Sequence, residues 1–202
     1  LANQIDGVSY NFIVLNDTTV TKSNSQFVFE NLEIYEGQLI TYNFTHSEQT
    51  NPKQIFTLVD ENVDTATIKV TVTESSSNSS ATTYSRFTEL LDVGPTSEVF
   101  FLQETRNNQY QVYFGADIIG KKIPDGAIVS ITYLVTNGSA AQKADGFVPR
   151  QTLTDSLGES LTDFDVDVID VAAGGAARES VDEIKFSAPL QYVTQNRLVT
   201  IK

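Results

Sequence analysis

"TATIKVTVTE" (Thr65–Glu74) sets Ala66, Ile68, Val70 and Val72 on one side of the chain and Thr and Lys residues on the other. A period of two is the signature of a strand with one face in a core, and no helix reproduces it. The pattern recurs at spacings of about ten residues, with turn residues between. "GVSYNFIVL" places Val8, Tyr10 and Phe12 on alternate positions and runs into the turn "NDTT". "QFVFENLEIYEG" carries Phe27, Phe29, Leu32 and Ile34 up to Gly37, and "LITYNFTH" (Leu39–His46) starts again. "EVFFLQETRNNQYQVYFG" reads as a hairpin around Asn107-Asn108, since Asn tolerates positive φ, and "GAIVSITYLVTNG" as a further strand. The expected fold is mainly β: antiparallel, sandwich-like, with a small α+β C-terminal part holding one or two helices.

The 202 residues suffice for one or two domains with a real core. Residues 1–36 read as a β segment continuing an upstream domain, 37–138 as an antiparallel β domain, and 139–202 as an α+β segment leading downstream. "SSSNSSATT" (Ser75–Thr83) is too polar to order itself and reads as an exposed hairpin tip. Lys and Arg number 13 against 26 Asp and Glu, a formal charge of −13. Such a surface repels nucleic acid and anionic membranes, so neither is expected as a partner. With no cysteine, thiolate metal sites and cysteine nucleophiles are excluded. No methionine occurs even at position 1, which is expected of a fragment of a longer chain. No signal peptide is visible.

Several stretches approach a chemical motif. "GADIIGKK" (Gly115–Lys122) nearly spells the phosphate loop G-x-x-x-x-G-K-[ST], but Lys122 stands where the Mg²⁺-binding hydroxyl belongs. "IPDG" (Ile123–Gly126) follows, a turn where a helix is needed to hold phosphate on its N-terminal amides. Gly115 and Gly120 are therefore expected to turn the chain, leaving Lys121 and Lys122 as exposed basic points facing an acidic neighbour. "DFDVD" (Asp163–Asp167) opens like a calcium loop, yet Val168 and Gly174 occupy the positions of the obligatory Gly and Glu. Phe164, Val166 and Val168 share a face, so "LTDFDVDVIDV" (Leu161–Val171) is read as a half-buried strand. His46 has no companion His or Cys and is read as an exposed strand-end residue. Nothing selects a carboxylate pair for glycoside hydrolysis. The four N-x-[ST] sequons, at Asn16, Asn43, Asn78 and Asn137, arise readily in so Asn- and Ser-rich a chain.

One helix is expected within "AAGGAARESVDEIKFSAP". Ser180 and Glu183 fit a capping box, Val181, Ile184 and Ala188 fall on one face, and Pro189 should end or kink it. Gly174-Gly175 lacks the G-x-G-x-x-G spacing and reads as a flexible connection ahead of the helix.

Two blocks together resemble a family. "GGAARESVDEIKFSAPLQYVTQNRLVT" (Gly174–Thr200) is similar to the G-G-A-x-x-E-S-x-x-E-I…A-P…x-Q-N-R-x-V-T block of baseplate J-like proteins, wedge subunits of contractile phage tails and related injection machines. "VYFGADIIGKKIPDGAIVSITY" (Val112–Tyr133) resembles the same family's F-G-x-x-x-x-G-x-x-P-x-G-x-x-V-x-x-x-Y segment. The resemblance carries over Gly174, Gly175, Glu179, Ser180, Glu183, Ala188, Pro189, Gln195, Asn196, Arg197 and Thr200 as candidate interaction or hinge residues; Lys185 stands where many members have Arg. It implies a virion protein of the tail baseplate, assembled in the host cytoplasm and without cofactor or catalytic residues. Its expected partners are itself, as a homodimer within a ring of copies, and other wedge proteins, with no direct membrane contact. The family role is to join wedges into a ring around the hub and to take part in the rearrangement that triggers sheath contraction. A Gly-Gly hinge ahead of a helix suits a part with two arrangements. The rival readings are a receptor- or carbohydrate-binding module of a tail fibre or adhesin, which the lack of Trp weakens, and a hydrolase, for which no nucleophile–base arrangement is visible.

Overall fold

The computed structural model describes residues 1–75, 77, 80–88, 93–177 and 179–194, the last five by their backbone alone. The chain is mainly β, as its alternation demands. It opens with a three-stranded sheet of β1 (Ala2–Ile5), β2 (Val8–Ile13) and β3 (Tyr35–Glu36). Asp6 and Gly7 join β1 to β2 with φ of 50° and 80°, the two positive angles of a two-residue hairpin turn. The expected strand through Phe27 and Phe29 is absent. Asn24 and Ser25, at φ 49° and 66°, make a turn just before the run, and Asn31, at φ 53°, breaks it. Val28 and Phe29 are exposed as a result.

Gly37, at φ 137°, passes the chain to a second sheet. A Cβ there would lie 2.5 Å from the Val135 carbonyl oxygen, so only glycine lets the backbones approach. The second sheet contains β4 (Gln38–Thr45), β5 (Ile55–Thr57), β6 (Val63–Thr73), β7 (Ala81–Arg86), β8 (Val99–Glu104), β9 (Tyr110–Phe114) and β10 (Ile128–Val135). Their spatial order is β4-β10-β6-β7-β8-β9-β5, antiparallel except for the short β7–β8 pair. The two outermost strands face each other across the core, with the Phe44 and Phe56 rings 5.3 Å apart, so the sheet folds over itself like a sandwich. β10 is the centre: Val129, Ile131 and Tyr133 are fully buried among Val70, Val72, Phe100 and Val112. The Tyr133 hydroxyl donates to Asp60 Oδ2 at 2.5 Å, which satisfies the polar end of a buried ring.

The alternation in β6 holds at Val70 and Val72 but not at Ala66, which is exposed. The register of β6 on β10 jumps between Thr132 and Leu134, opposite which residues 65–68 bulge out. Side chains replace the lost ladder: Asp64 Oδ1 accepts from the Ala66 amide, and Thr67 Oγ1 accepts from the Leu134 amide at 3.0 Å. The β6–β7 connection is a hairpin as expected, although Ala81–Thr83 belong to β7 and not to the tip. Asn108, at φ 61°, turns β8 into β9 as its residue type predicts.

After β10, a 3-10 turn (Gly138–Ala141) brings Ala141 and Ala144 against Phe12, with Phe147 edge-on to Phe12 at 4.9 Å. This smaller core ties the first sheet to the segment after residue 138. A hairpin of β11 (Leu153–Thr154) and β12 (Ser160–Leu161) follows. The predicted strand through Val171 stops there: residues 163–171 lie outside any sheet, and Phe164, Val166, Ile169 and Val171 are exposed. A strand needs a neighbour for its backbone groups, and none lies beside this stretch among the described residues.

The helix α1 spans Val181–Thr194. Pro189 lies inside it and does not end it, although it withholds the amide that would bond to the Lys185 carbonyl. From Val181 to Pro189 every side chain but Ser187 is exposed, so the Val181, Ile184 and Ala188 face packs on nothing among the described residues.

Candidate functional site

The phosphate-loop likeness dissolves in the geometry of residues 115–127. Gly115 and Gly120 meet back to back: a Cβ on Gly115 would lie 2.1 Å from the Gly120 carbonyl oxygen. The amides that would cradle a phosphate have protein acceptors. Gly120 donates to Gly94 O at 3.0 Å, Lys121 to Ser97 O at 2.8 Å, Lys122 to Asp117 Oδ1 at 2.9 Å and Ile123 to Gln54 Oε1 at 2.6 Å. The lysines differ from expectation too. Lys121 Nζ sits 3.2 Å from Glu74 and 3.6 Å from Glu98, and Lys122 Nζ 2.5 Å from Glu48. These carboxylates, Glu74 and Glu48 foremost, raise the two lysine pKa values. The loop is a strap across the end of the sandwich, pinned by its own ion pairs. Its outward tip is apolar, with Ile118 74% exposed beside Ile119.

His46 is also placed differently. It is 1% exposed and edge-on to Phe56, with rings 6.3 Å apart. Its backbone continues the β4–β10 ladder through Ala127 O and the Gly126 amide, which carries the side chain inward. Neither ring nitrogen finds a hydrogen-bond partner. Burial holds its pKa below the ordinary histidine value, against the upward pull of Asp125 and Glu48.

The candidate interaction residues form one continuous stretch. Gly174, at φ 86°, has open space around it. Gly175 is wedged: a Cβ there would lie 2.2 Å from the Gly138 carbonyl oxygen, and Gln142 Nε2 donates to its carbonyl. Ala172 exchanges backbone bonds with Lys143 and Ala144 on the same side. The pair is thus half anchored and half free, not freely flexible throughout. Glu179 is exposed. Ser180 and Glu183 complete the capping box, with the Ser180 amide donating to Glu183 Oε2 at 2.7 Å and the Glu183 amide to Ser180 Oγ at 3.3 Å. Hydrogen bonding from the Ser180 backbone amide, and after it from the Ser180 side chain, lowers the Glu183 pKa. Gln195, Asn196, Arg197 and Thr200 lie outside the described residues.

Among the described residues no three His, Cys, Asp or Glu side chains converge on a metal position. Aromatic rings on the outer face of β8 and β9 stack on one another, Phe101 on Tyr113 at 5.0 Å, and so occupy faces a sugar ring would need. What the surface offers instead is elements presented outward: an apolar loop tip, an unpaired extended segment and a capped helix. Fold and surface together define a β-rich module that presents apolar side chains outward at the loop tip, along residues 164–171 and on α1.

The chain is similar to the baseplate wedge protein gp6 of Enterobacteria phage T4, with 25% identity over 210 aligned positions that cover 95% of this chain. It spans 30% of that protein's length. Similarity over nearly the whole chain supports a distant relationship. No protein-family profile matches the chain.

Proposed function

We propose that this chain is a structural part of a phage tail baseplate wedge. The observation that carries the reading is the similarity to a wedge protein across 95% of the chain. The outward-facing helix α1 and its anchored Gly174-Gly175 lead fit that role, because a permanent assembly buries large surfaces that an isolated chain exposes. In this reading the 37–138 sandwich is the rigid body, residues 1–36 and 139–202 are its junctions to neighbouring parts, and copies of the chain join wedges into a ring around the hub. Gly174 is the pivot and Gly175 the anchor of α1 when the baseplate rearranges to trigger sheath contraction.

The test is genetic and biochemical. With the gene for this chain disrupted, heads should form while tails lack complete baseplates, and a tagged copy should sediment with purified tails. A tagged chain missing from tails, or normal baseplates without it, rejects the reading.

A further inference from the structure

Residues 163–168 alternate acid and apolar without exception: Asp163, Asp165 and Asp167 against Phe164, Val166 and Val168. The phase changes only at Ile169. This is a strand's pattern on a segment without a strand partner among the described residues. The structure shows why the neighbouring arm supplies none. β11 and β12 pair Leu153 with Leu161 and Thr154 with Ser160. Continued, that register sets Gln151 against Asp163 and Pro149 against Asp165. Proline has no amide to give the ladder. One residue further back, Val148 is committed elsewhere, exchanging backbone bonds with Ala2 of the first sheet at 2.8 and 3.0 Å. The two arms therefore part, and a groove opens between Pro149–Thr152 on one side and Leu161, Thr162 and Phe164 on the other.

We propose that residues 163–168 become a β-strand in the assembly, paired along this groove with an edge strand of a different protein that sets basic side chains against Asp163, Asp165 and Asp167. Charge decides the occupant. A second copy of the segment would bring aspartates against aspartates, and like charges directly opposite on a sheet repel. The whole chain, at −13, adds to that repulsion. A basic edge strand gains both the ladder and cross-strand ion pairs, while Phe164, Val166 and Val168 gain cover. This inference rests on the assembly reading above and names the chemistry of one contact in it.

Hydrogen exchange on peptides spanning 162–169 tests it, in the isolated chain and in assembled tails. Exchange should slow at least about tenfold on assembly. The double variant Asp165→Pro, Val166→Pro removes a donor from either side of the strand and should be lost from tails. The triple variant Asp163→Lys, Asp165→Lys, Asp167→Lys should enter tails about tenfold less. Both variants should melt like the parent in isolation, because the segment lies outside both cores. Since the chain has no cysteine, Ile169→Cys gives a single cross-linking position. Its product in tails should join a different protein at a segment carrying Lys or Arg. A chain that enters tails with 162–169 still exchanging freely, or cross-linked to a second copy of itself, overturns the strand inference and leaves the assembly reading standing. A chain absent from tails overturns both.

Discussion

At the residue scale, two positions combine a clear local geometry with a definite cost. A methyl group on Gly175 would collide with backbone at Gly138, not with a side chain that can turn away. Gly175→Ala should therefore displace the 172–176 stretch and destabilise the smaller core by about 1–3 kcal/mol in denaturant unfolding. Gly174→Ala meets no atoms but must hold φ at 86°, so it should cost only about 1–2 kcal/mol. If Gly174 is the pivot, that variant should also slow contraction while leaving assembly intact; unchanged contraction removes the pivot. His46 makes a pH prediction. Its folded-state pKa is lowered, so below the ordinary value near about 6.5 the unfolded chain binds the proton first. Stability from this group is complete above that pH, declines as pH falls through it, and levels off below the folded-state pKa. His46→Phe should flatten the melting temperature between about pH 7 and 5 relative to the parent. An identical pH profile in parent and variant would show that the buried imidazole contributes nothing there.

At the element scale, α1 separates local from tertiary stability. Its capping box is satisfied on both arms, yet its described side chains pack on no strand. Ser180→Ala should cost about 1 kcal/mol of helix, seen as lost helical circular dichroism, with the melting of the β cores unchanged. A lowered core melting temperature would mean that α1 is docked after all. What could be read in advance follows the same division. The Asn107-Asn108 hairpin, the capping box and the alternation at Val70 and Val72 are local, and they stand where expected. The Asp6-Gly7 turn is an equally legible hairpin signal, and it fixes β1 beside β2. Two predicted strands fail for different reasons. The Phe27–Ile34 stretch follows a turn at Asn24 and Ser25 and is broken from within by Asn31, all three in left-handed geometry. The Leu161–Val171 stretch has the right pattern, but its neighbouring arm is drawn off by Pro149 and the Val148–Ala2 bridge.

At the scale of the whole molecule, stability rests on β10, which lies between β4 and β6 although it follows both by many residues. Ile131 is fully buried there, and Ile131→Ala should cost about 2–5 kcal/mol in denaturant unfolding. A loss under about 1 kcal/mol would place the main core elsewhere. By itself the sequence determined the class of the fold, the Asn107-Asn108 turn, the capped helix and the failed phosphate loop. Each depends on residue type and near neighbours, through φ preferences, side-chain caps and the period of the apolar face. Only the tertiary structure decided the order of the strands, the burial of His46, the ion pairs that hold Lys121 and Lys122, the wedging of Gly175 and the parting of the 148–152 arm from 163–168. Those depend on which distant segments compete for one another's backbone groups and apolar faces, and that competition is settled only when the chain closes on itself.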